Sequence, residues 1–262
     1  MDVVAHRILW SFLLTGAIVA VRASMGKGVL PRFDVRTIVV HAASALLISI
    51  NWLAYVWGVS HGRVVECSLG YFVNPLVTIA LGVLFLRERL RTGRWIALGL
   101  AAVAVAWLSF STGAVPWLSL VLAFSFGLYG FAKKMAGLRA LDGLWLETAL
   151  LAPFALLWVA HLVPSDSEAF LVGGTRIRSM LVLTGIVTTV PLLLFAAAAS
   201  RTRLSTLGFL QYLTPTLQFL IGVGVFGESF DGKRLIGFSL VWIALALVVA
   251  EGVWSGRRTG SA

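Results

Sequence analysis

Nine long apolar segments follow one another along this chain, with short polar connections between them. They cover about residues 3–21, 37–59, 64–86, 95–111, 115–132, 143–163, 179–200, 204–226 and 235–254. A helix needs roughly 20 mostly apolar residues to cross a bilayer, and each segment is about that long. Only 12% of the residues are charged, against roughly 25% in soluble domains. We therefore predict an all-α, polytopic integral membrane protein whose solvent is the lipid bilayer.

The basic residues are divided unequally between the two sets of segment ends. Fifteen of the 21 Lys and Arg residues fall on one set, which includes the C-terminal tail at 255–262. The positive-inside rule places that set in the cytoplasm and predicts a cytoplasmic C-terminus. Because the basic residues lie in short loops between apolar segments, the net charge of +10 indicates membrane topology rather than a nucleic-acid partner.

The sequence also repeats itself at an offset of 140 residues. Sliding the chain without gaps gives twelve identities within residues 51–106, including Pro75 on Pro215. The counterpart of the segment at 115–132 would lie upstream of Met1. The first repeat, 1–112, is therefore expected to lack its first helix, whereas the second repeat covers 113–254.

This offset predicts an architecture of two five-helix repeats, of which nine helices are visible. An odd number of spans in each repeat inverts the second repeat relative to the first. Inverted repeats of this kind are typical of secondary transporters.

A stripe of polar side chains recurs at equivalent places in the two repeats. Each stripe occupies one helical face near the middle of a segment, next to a proline. The residues are Tyr71, Asn74 and Thr78 beside Pro75, and Gln211, Thr214 and Gln218 beside Pro215. Polar groups at that depth cannot face lipid at low cost, so the stripes are predicted to line a central solute cavity. The alternative is that they bond neighbouring helices to each other.

The preceding segments supply a second predicted wall. Asn51 and Tyr55 lie one turn apart, and Pro191 stands where the repeat places the equivalent of Asn51. Pro75, Pro191 and Pro215 are expected to leave a carbonyl without its helical donor and to bend or break their helices. Amides, prolines and aromatic residues favour an amphipathic or aromatic organic solute over a bare ion.

Three charged residues near membrane depth have two open interpretations. Arg7 and Glu147 occupy equivalent repeat positions with opposite charges, and Glu66 begins the segment that carries Asn74. A charge at the helix centre costs at least about 2.5–3.5 kcal/mol, so such residues usually have a partner or a role. A structural pair or separate interfacial anchors are favoured, and coupling of transport to a proton is the alternative.

Short motifs in the chain do not indicate an enzyme. GVSHG at 58–62 matches G-x-S-x-G, but it lies where an apolar helix ends rather than at a strand-to-helix turn. GVGVFG at 222–227 matches G-x-G-x-x-G without a preceding soluble strand. The histidines lie near segment ends without metal-ligand spacing, which favours interfacial or loop positions: His6, His41, His61 and His161. We predict no catalytic residue, no metal site and no cofactor.

Several stretches, in order along essentially the whole chain, resemble one family. They are AHRILWSFLL, ECSLGYFVNPLV, GVLFLRERL, LAFSFGLYG, GIVTTVPLLLFAAAA and RLSTLGFLQYLTPTLQFLIGV. They resemble the RarD-type branch of the EamA transporters, in the drug/metabolite transporter superfamily. The resemblance implies ten helices in two EamA repeats, a bacterial inner-membrane location and permease activity. The family's label also associates it with chloramphenicol sensitivity, which does not identify a physiological substrate.

These inferences together predict a membrane permease or exporter of a small organic solute that works by alternating access. Its expected partners are that solute and the lipid bilayer, and a homodimer is one candidate assembly. The alternative function is a non-transporting membrane scaffold or partner subunit.

Overall fold

Helices account for every regular element in the described part of the chain. The structure, a computed structural model, describes residues 2–26, 33–112, 117–163, 169–224 and 232–259, without the side chains of 111–112, 218, 222–224, 233–234 and 253–259. The helices are α1 (Asp2–Ser24), α2 (Val35–Ser60), α3 (Val64–Leu84), α4 (Thr92–Thr112), α5 (Trp117–Met135), α6 (Ala140–Leu162), α7 (Ala169–Val172), α8 (Thr175–Arg201), α9 (Leu204–Gln211), α10 (Leu213–Gly224) and α11 (Gly232–Thr259).

Eight of the helices in these ranges are long and apolar enough to cross a membrane. They correspond to eight of the nine predicted segments. The ninth predicted segment, 204–226, is not one continuous helix, because α9 ends at Gln211 and α10 begins at Leu213. The predicted polytopic helical fold is therefore confirmed, with one predicted span divided in two. The end of the GVGVFG motif and the last residues of the tail lie outside the described residues.

The helices group into two compact units. The first unit comprises Met1–Val56 and Tyr129–Arg201, and the second comprises Trp57–Leu128 and Thr202–Ala262. Each unit takes helices from both halves of the sequence, so the units of packing differ from the two repeats at 1–112 and 113–254. The repeat boundaries and their inversion stay predictions.

Three pairs of helices related by the 140-residue offset pack against each other within a unit. In the first unit α1 packs on α6, and in the second α3 packs on α9 and α4 on α11. Close packing of membrane helices favours small residues, since lipid tails provide no hydrophobic drive to associate. The α4–α11 contact follows this rule: Ala97, Ala101 and Ala104 are fully buried on α4, and Gly237 of α11 leaves room for Leu108.

Glycine also brings two helices together in the first unit. A Cβ atom at Gly185 of α8 would lie 2.6 Å from Cβ of Trp10 on α1, so only glycine allows this approach.

The start of α2 is capped by a side chain. The carboxylate of Asp34 accepts the backbone N–H of Thr37 at 3.0 Å. Hydrogen bonds from the Thr37 side chain and backbone hold the pKa of Asp34 below its ordinary value. This carboxylate therefore stays ionised at the helix N-terminus, where a negative charge is favoured.

Candidate functional site

The break between α9 and α10 leaves buried polar groups unsatisfied. Tyr212 lies at the break, where its backbone N–H donates to the Phe209 carbonyl at 3.2 Å in a tightened last turn. Pro215 follows three residues later and cannot donate to the carbonyl of Gln211. Among the described residues, the Gln211 amide oxygen, the Gln211 amide nitrogen and the Tyr212 hydroxyl have no hydrogen-bond partner, although all three atoms are buried. The divided helix therefore presents unsatisfied donors and acceptors inside the second unit.

The predicted stripe on α3 lies on the helix that packs against α9. Asn74 is 7% exposed and Thr78 is fully buried, and the Thr78 hydroxyl donates to Asn74 Oδ1 at 3.4 Å. Tyr71 is half-buried. A Cβ atom at Gly208 of α9 would lie 2.9 Å from the Pro75 carbonyl oxygen. Because glycine allows this approach, α9 packs directly on the segment of α3 that carries the stripe.

The remaining predicted site residues differ in their exposure and in the unit to which they belong. Thr214 is exposed, and the side chain of Gln218 lies outside the described residues. Asn51 and Tyr55 are half-buried on α2 in the first unit. Of the eight predicted residues, Tyr71, Asn74, Thr78 and Gln211 therefore lie on two packed helices of the second unit.

A helix break is wrong for two of the three predicted prolines, whereas a bend at each stays a prediction. α3 runs through Pro75 and α8 runs through Pro191 without interruption. A proline removes one hydrogen bond from a helix, and packing against neighbouring helices can keep the helix continuous despite that loss.

A second polar centre lies in the first unit, around Glu147 of α6. Its Oε1 is 2.7 Å from Nζ of Lys133 on α5 and 2.9 Å from Nδ1 of His41 on α2. The exposed fractions of the Glu147, Lys133 and His41 side chains are 1%, 3% and 1% respectively. Within the described ranges, Glu147 Oε2 and His41 Nε2 are buried and have no hydrogen-bond partner. Glu147, Lys133 and His41 therefore meet in a buried network in which two polar atoms are open to a further hydrogen bond.

The surrounding helices shape this network closely. A Cβ atom at Gly143 of α6 would lie 2.7 Å from Cε1 of His41, so the imidazole packs directly on the helix backbone. The Lys133 ammonium lies 5.4 Å from the ring centroid of Tyr129, one turn earlier on α5. Closer to the start of α6, Asp142 pairs with Arg22 of α1 at 2.6 Å.

The other two residues predicted for coupling or pairing have different contacts. The Arg7 guanidinium lies 5.3 Å from the ring centroid of Trp52, a cation–π contact within the first unit. Glu66 lies 3.4 Å from Arg63 at the partly exposed start of α3, in the second unit. The cation 2.7 Å from Glu147 is Lys133, which was not among the predicted residues, and the choice between a structural pair and separate anchors for Arg7 stays a prediction.

The four histidines differ in exposure, and their predicted interfacial or loop positions stay a prediction. His61 and His161 are exposed, but His41 is 1% exposed and His6 is 5% exposed. In these ranges of the chain, no group of three His, Cys, Asp or Glu residues could hold a metal ion.

Neither His41 nor Lys133 was predicted from the sequence to belong to a buried site. One signal was present on α5, where Ser125, Tyr129 and Lys133 recur every four residues and are all buried. Polar residues at that spacing share one helical face, which indicates that the face packs against protein rather than lipid.

Comparisons with known proteins identify relatives of this chain. The model of the EamA-like transporter family matches residues 1–110. The chain is 44% identical to Protein RarD of Streptomyces exfoliatus, over 99% of this chain and 82% of the relative. It is 38% identical to Protein RarD of Escherichia coli (strain K12), over 98% of this chain and 87% of the relative.

A solved crystal structure has the same fold. It matches with a TM-score of 0.65 at 20% identity, covering 94% of this chain and 86% of the other. Identity that low carries information about the fold alone, whereas the sequence relatives are similar over nearly the whole chain. The chain belongs to the RarD-type branch of the EamA-like transporter family, in the drug/metabolite transporter superfamily.

Proposed function

We propose that this chain is a permease that moves a small organic solute across a bacterial inner membrane by alternating access. The observation that carries the proposal is the buried, unsatisfied amide of Gln211 at the break between α9 and α10. Membership of a transporter family supports the same function. Many transporters build solute sites near the bilayer midplane from divided helices that present polar groups.

The polar atoms at this break carry a cost in free energy. A buried donor or acceptor without a hydrogen bond costs about 1–3 kcal/mol. Gln211 has two such atoms and Tyr212 has a third, as far as the described residues go. A solute or water molecule that bonds them would recover that free energy, which favours a ligand site over a purely structural role.

The chemistry of these groups suggests the kind of solute. An amide both donates and accepts hydrogen bonds, and Gln211 and Asn74 lie on helices that pack against each other. Two amides suit a solute that carries amide or hydroxyl groups. The phenol rings of Tyr71 and Tyr212 would favour an aromatic or amphipathic body.

Among the three residues predicted for coupling or pairing, we assign proton coupling to Glu147. It faces Lys133 and Tyr129 from α5 and His41 from α2. The Asp142–Arg22 pair lies nearby on α6 and α1. Glu147 Oε2 is buried and has no hydrogen-bond partner among the described residues, which leaves this oxygen for the proton.

The remaining charged residues receive structural roles in this proposal. We assign Arg7 to anchoring through Trp52 and Glu66 to anchoring through Arg63. The distribution of basic residues supports a cytoplasmic C-terminus.

Solute flux in proteoliposomes tests the proposed function. The purified chain would be assayed with labelled chloramphenicol and a panel of aromatic amides and alcohols. Gln211→Leu and Asn74→Leu are expected to reduce flux per folded molecule at least tenfold. Ser68→Ala is the control, because Ser68 is exposed on α3 and its hydroxyl donates to the Val64 carbonyl of the same helix.

Two results would contradict the proposal. Normal flux in both leucine variants would place the solute elsewhere and make the stripe an interhelical contact. Absence of wild-type flux for every solute in the panel would favour the alternative, a non-transporting scaffold or partner subunit.

The pH dependence of flux tests the coupling assignment. Glu147→Gln keeps the shape of the side chain and removes its titration, so flux per folded molecule should lose its dependence on a pH gradient. Glu66→Gln is the matched control and should keep that dependence. Unchanged pH dependence in Glu147→Gln would remove this residue from the coupling mechanism.

A further inference from the structure

A pocket ringed by arginines lies at one end of the second unit. Its volume is about 220 Å³, and its lining residues are Arg89, Arg91, Arg94, Arg203, Glu251 and Gly252. They come from the connection between α3 and α4, the first turns of α4, the residue before α9 and the last part of α11. Several water molecules or one tetrahedral anion would fit in this volume.

The pocket holds more positive than negative charge. Its described lining residues carry four guanidinium groups and one carboxylate, that of Glu251, and the Glu88 carboxylate lies next to the pocket at the start of α9. Glu251 Oε2 is 3.7 Å from Nε of Arg94, and Arg94 also donates to the Thr206 hydroxyl at 3.3 Å. Two carboxylates cannot neutralise four guanidinium groups, so the excess positive charge favours an anion.

The backbone near the pocket also favours an anion. The N-termini of α4 and α9 both lie beside the pocket, and a helix N-terminus carries a partial positive charge. At α9 the first N–H groups are already used, since Glu88 accepts from Leu204 at 2.7 Å and from Ser205 at 2.8 Å. The arginine side chains, rather than the backbone N–H groups of α9, would therefore bind the anion.

The chemistry of guanidinium favours a phosphate. Arginine binds phosphate oxygens in a bidentate fashion, and a pocket with several arginines can hold one phosphate from more than one side. Large apolar side chains flank the arginines in sequence: Leu84 is 72% exposed, Phe85 is 66% exposed and Trp95 is 51% exposed. Tryptophan is enriched where membrane proteins meet the lipid headgroups.

We propose that this pocket binds the phosphate of an anionic phospholipid, whose acyl chains lie along Leu84, Phe85 and Trp95. The exposed apolar residues favour a lipid over free phosphate, because a soluble anion would make no contact with them. Basic pockets on the cytoplasmic side of membrane helices bind anionic headgroups in this way, and the distribution of basic residues predicts a cytoplasmic position for this end. None of the lining residues belongs to the proposed solute or coupling sites.

Lipid binding by the purified full chain in non-ionic detergent tests this proposal. Native mass spectrometry would measure binding of phosphatidylglycerol and of phosphatidylcholine. Wild type is expected to prefer phosphatidylglycerol at least tenfold, and Arg89→Gln/Arg203→Gln should remove most of that preference. Arg36→Gln/Arg176→Gln is the matched control, since it removes the same charge from exposed positions outside the pocket.

Inorganic phosphate distinguishes the two sources of the anion. We expect millimolar phosphate to compete poorly with phosphatidylglycerol, because it cannot use the apolar side chains. Full competition would overturn the lipid assignment in favour of a soluble anion. Equal binding of both lipids by wild type, or equal losses in the pocket and control variants, would overturn the site itself. A folded wild type that lacks solute flux would leave these outcomes unaffected.

Discussion

The contact between Lys133 and Glu147 gives a sharp test of the buried network. Lys133→Met leaves the carboxylate without its cation, and Glu147→Gln leaves the ammonium without its anion. The charged atoms are 2.7 Å apart, on side chains that are 3% and 1% exposed. Removing one partner of a buried ion pair costs about 3–5 kcal/mol, because the other charge stays buried and uncompensated. Each single variant should therefore lose about that much free energy of unfolding.

The double variant Lys133→Met/Glu147→Gln should be more stable than either single variant. It removes both charges, and the amide introduced at position 147 would still accept a hydrogen bond from His41. Replacing a whole buried ion pair is often neutral in free energy. The measurement is equilibrium unfolding by SDS in mixed detergent micelles, followed by circular dichroism. Lys134→Met is the control, because Lys134 is half-buried and should change stability by about 1 kcal/mol or less.

Two outcomes would refute this reasoning. One is single variants that cost no more than Lys134→Met, which would mean that the network does not hold two buried charges. The other is a double variant whose loss equals the sum of the two single losses, since independent sites add and coupled sites do not.

Three further predictions concern stability and orientation. Glu88→Ala should lower the free energy of unfolding by about 1–3 kcal/mol in the same assay, because two backbone N–H groups of α9 lose their carboxylate acceptor. An unchanged free energy of unfolding would mean that water replaces the carboxylate. Gly208→Ala should lower the free energy of unfolding by about 1–3 kcal/mol, because the added methyl group overpacks against α3. Gly99→Ala is the control: a Cβ atom there has nothing within 4 Å, so it should stabilise α4 by about 0.5–1 kcal/mol. Equal effects of the two variants would contradict the close approach of α9 to α3. A cysteine placed at Ser24 should react with a membrane-impermeant reagent only from the cytoplasm, and one at Ser60 only from outside; the reverse pattern would invert the predicted topology.

The helical fold was predictable because the bilayer imposes one length and one composition on every span. The division of the segment at 204–226 was not. Pro75 and Pro215 are matched by the repeat, yet α3 continues through one and α9 ends before the other. The sequence shows that each proline removes a hydrogen bond, but packing against neighbouring helices decides whether the helix stays continuous.

The part of the candidate site on α3 was predictable from the helical spacing of its polar residues. Asn74 and Thr78 are one turn apart, and the structure buries both. His41 and Lys133 were missed because each lies near the end of its segment, where a polar residue usually reaches water. Both contact Glu147, which lies 106 residues from His41 in the sequence. Pairing over that distance arises from tertiary packing and leaves no local pattern.

The two polar centres differ in how their hydrogen bonds are satisfied, and this difference predicts different responses to substitution. Around Glu147, opposite charges compensate each other, so the network can exchange a proton without admitting a larger ligand. At the α9–α10 break, Gln211 and Tyr212 have no side-chain partner in the described part of the chain, and a molecule that enters the site can satisfy them. Substitutions at Glu147 should therefore lower stability and alter pH dependence together. Gln211→Leu should lower flux while leaving stability unchanged or raised, because it removes a buried amide that costs free energy when no ligand is bound. A loss of stability in Gln211→Leu as large as that in Glu147→Gln would show that this amide holds the fold rather than a solute.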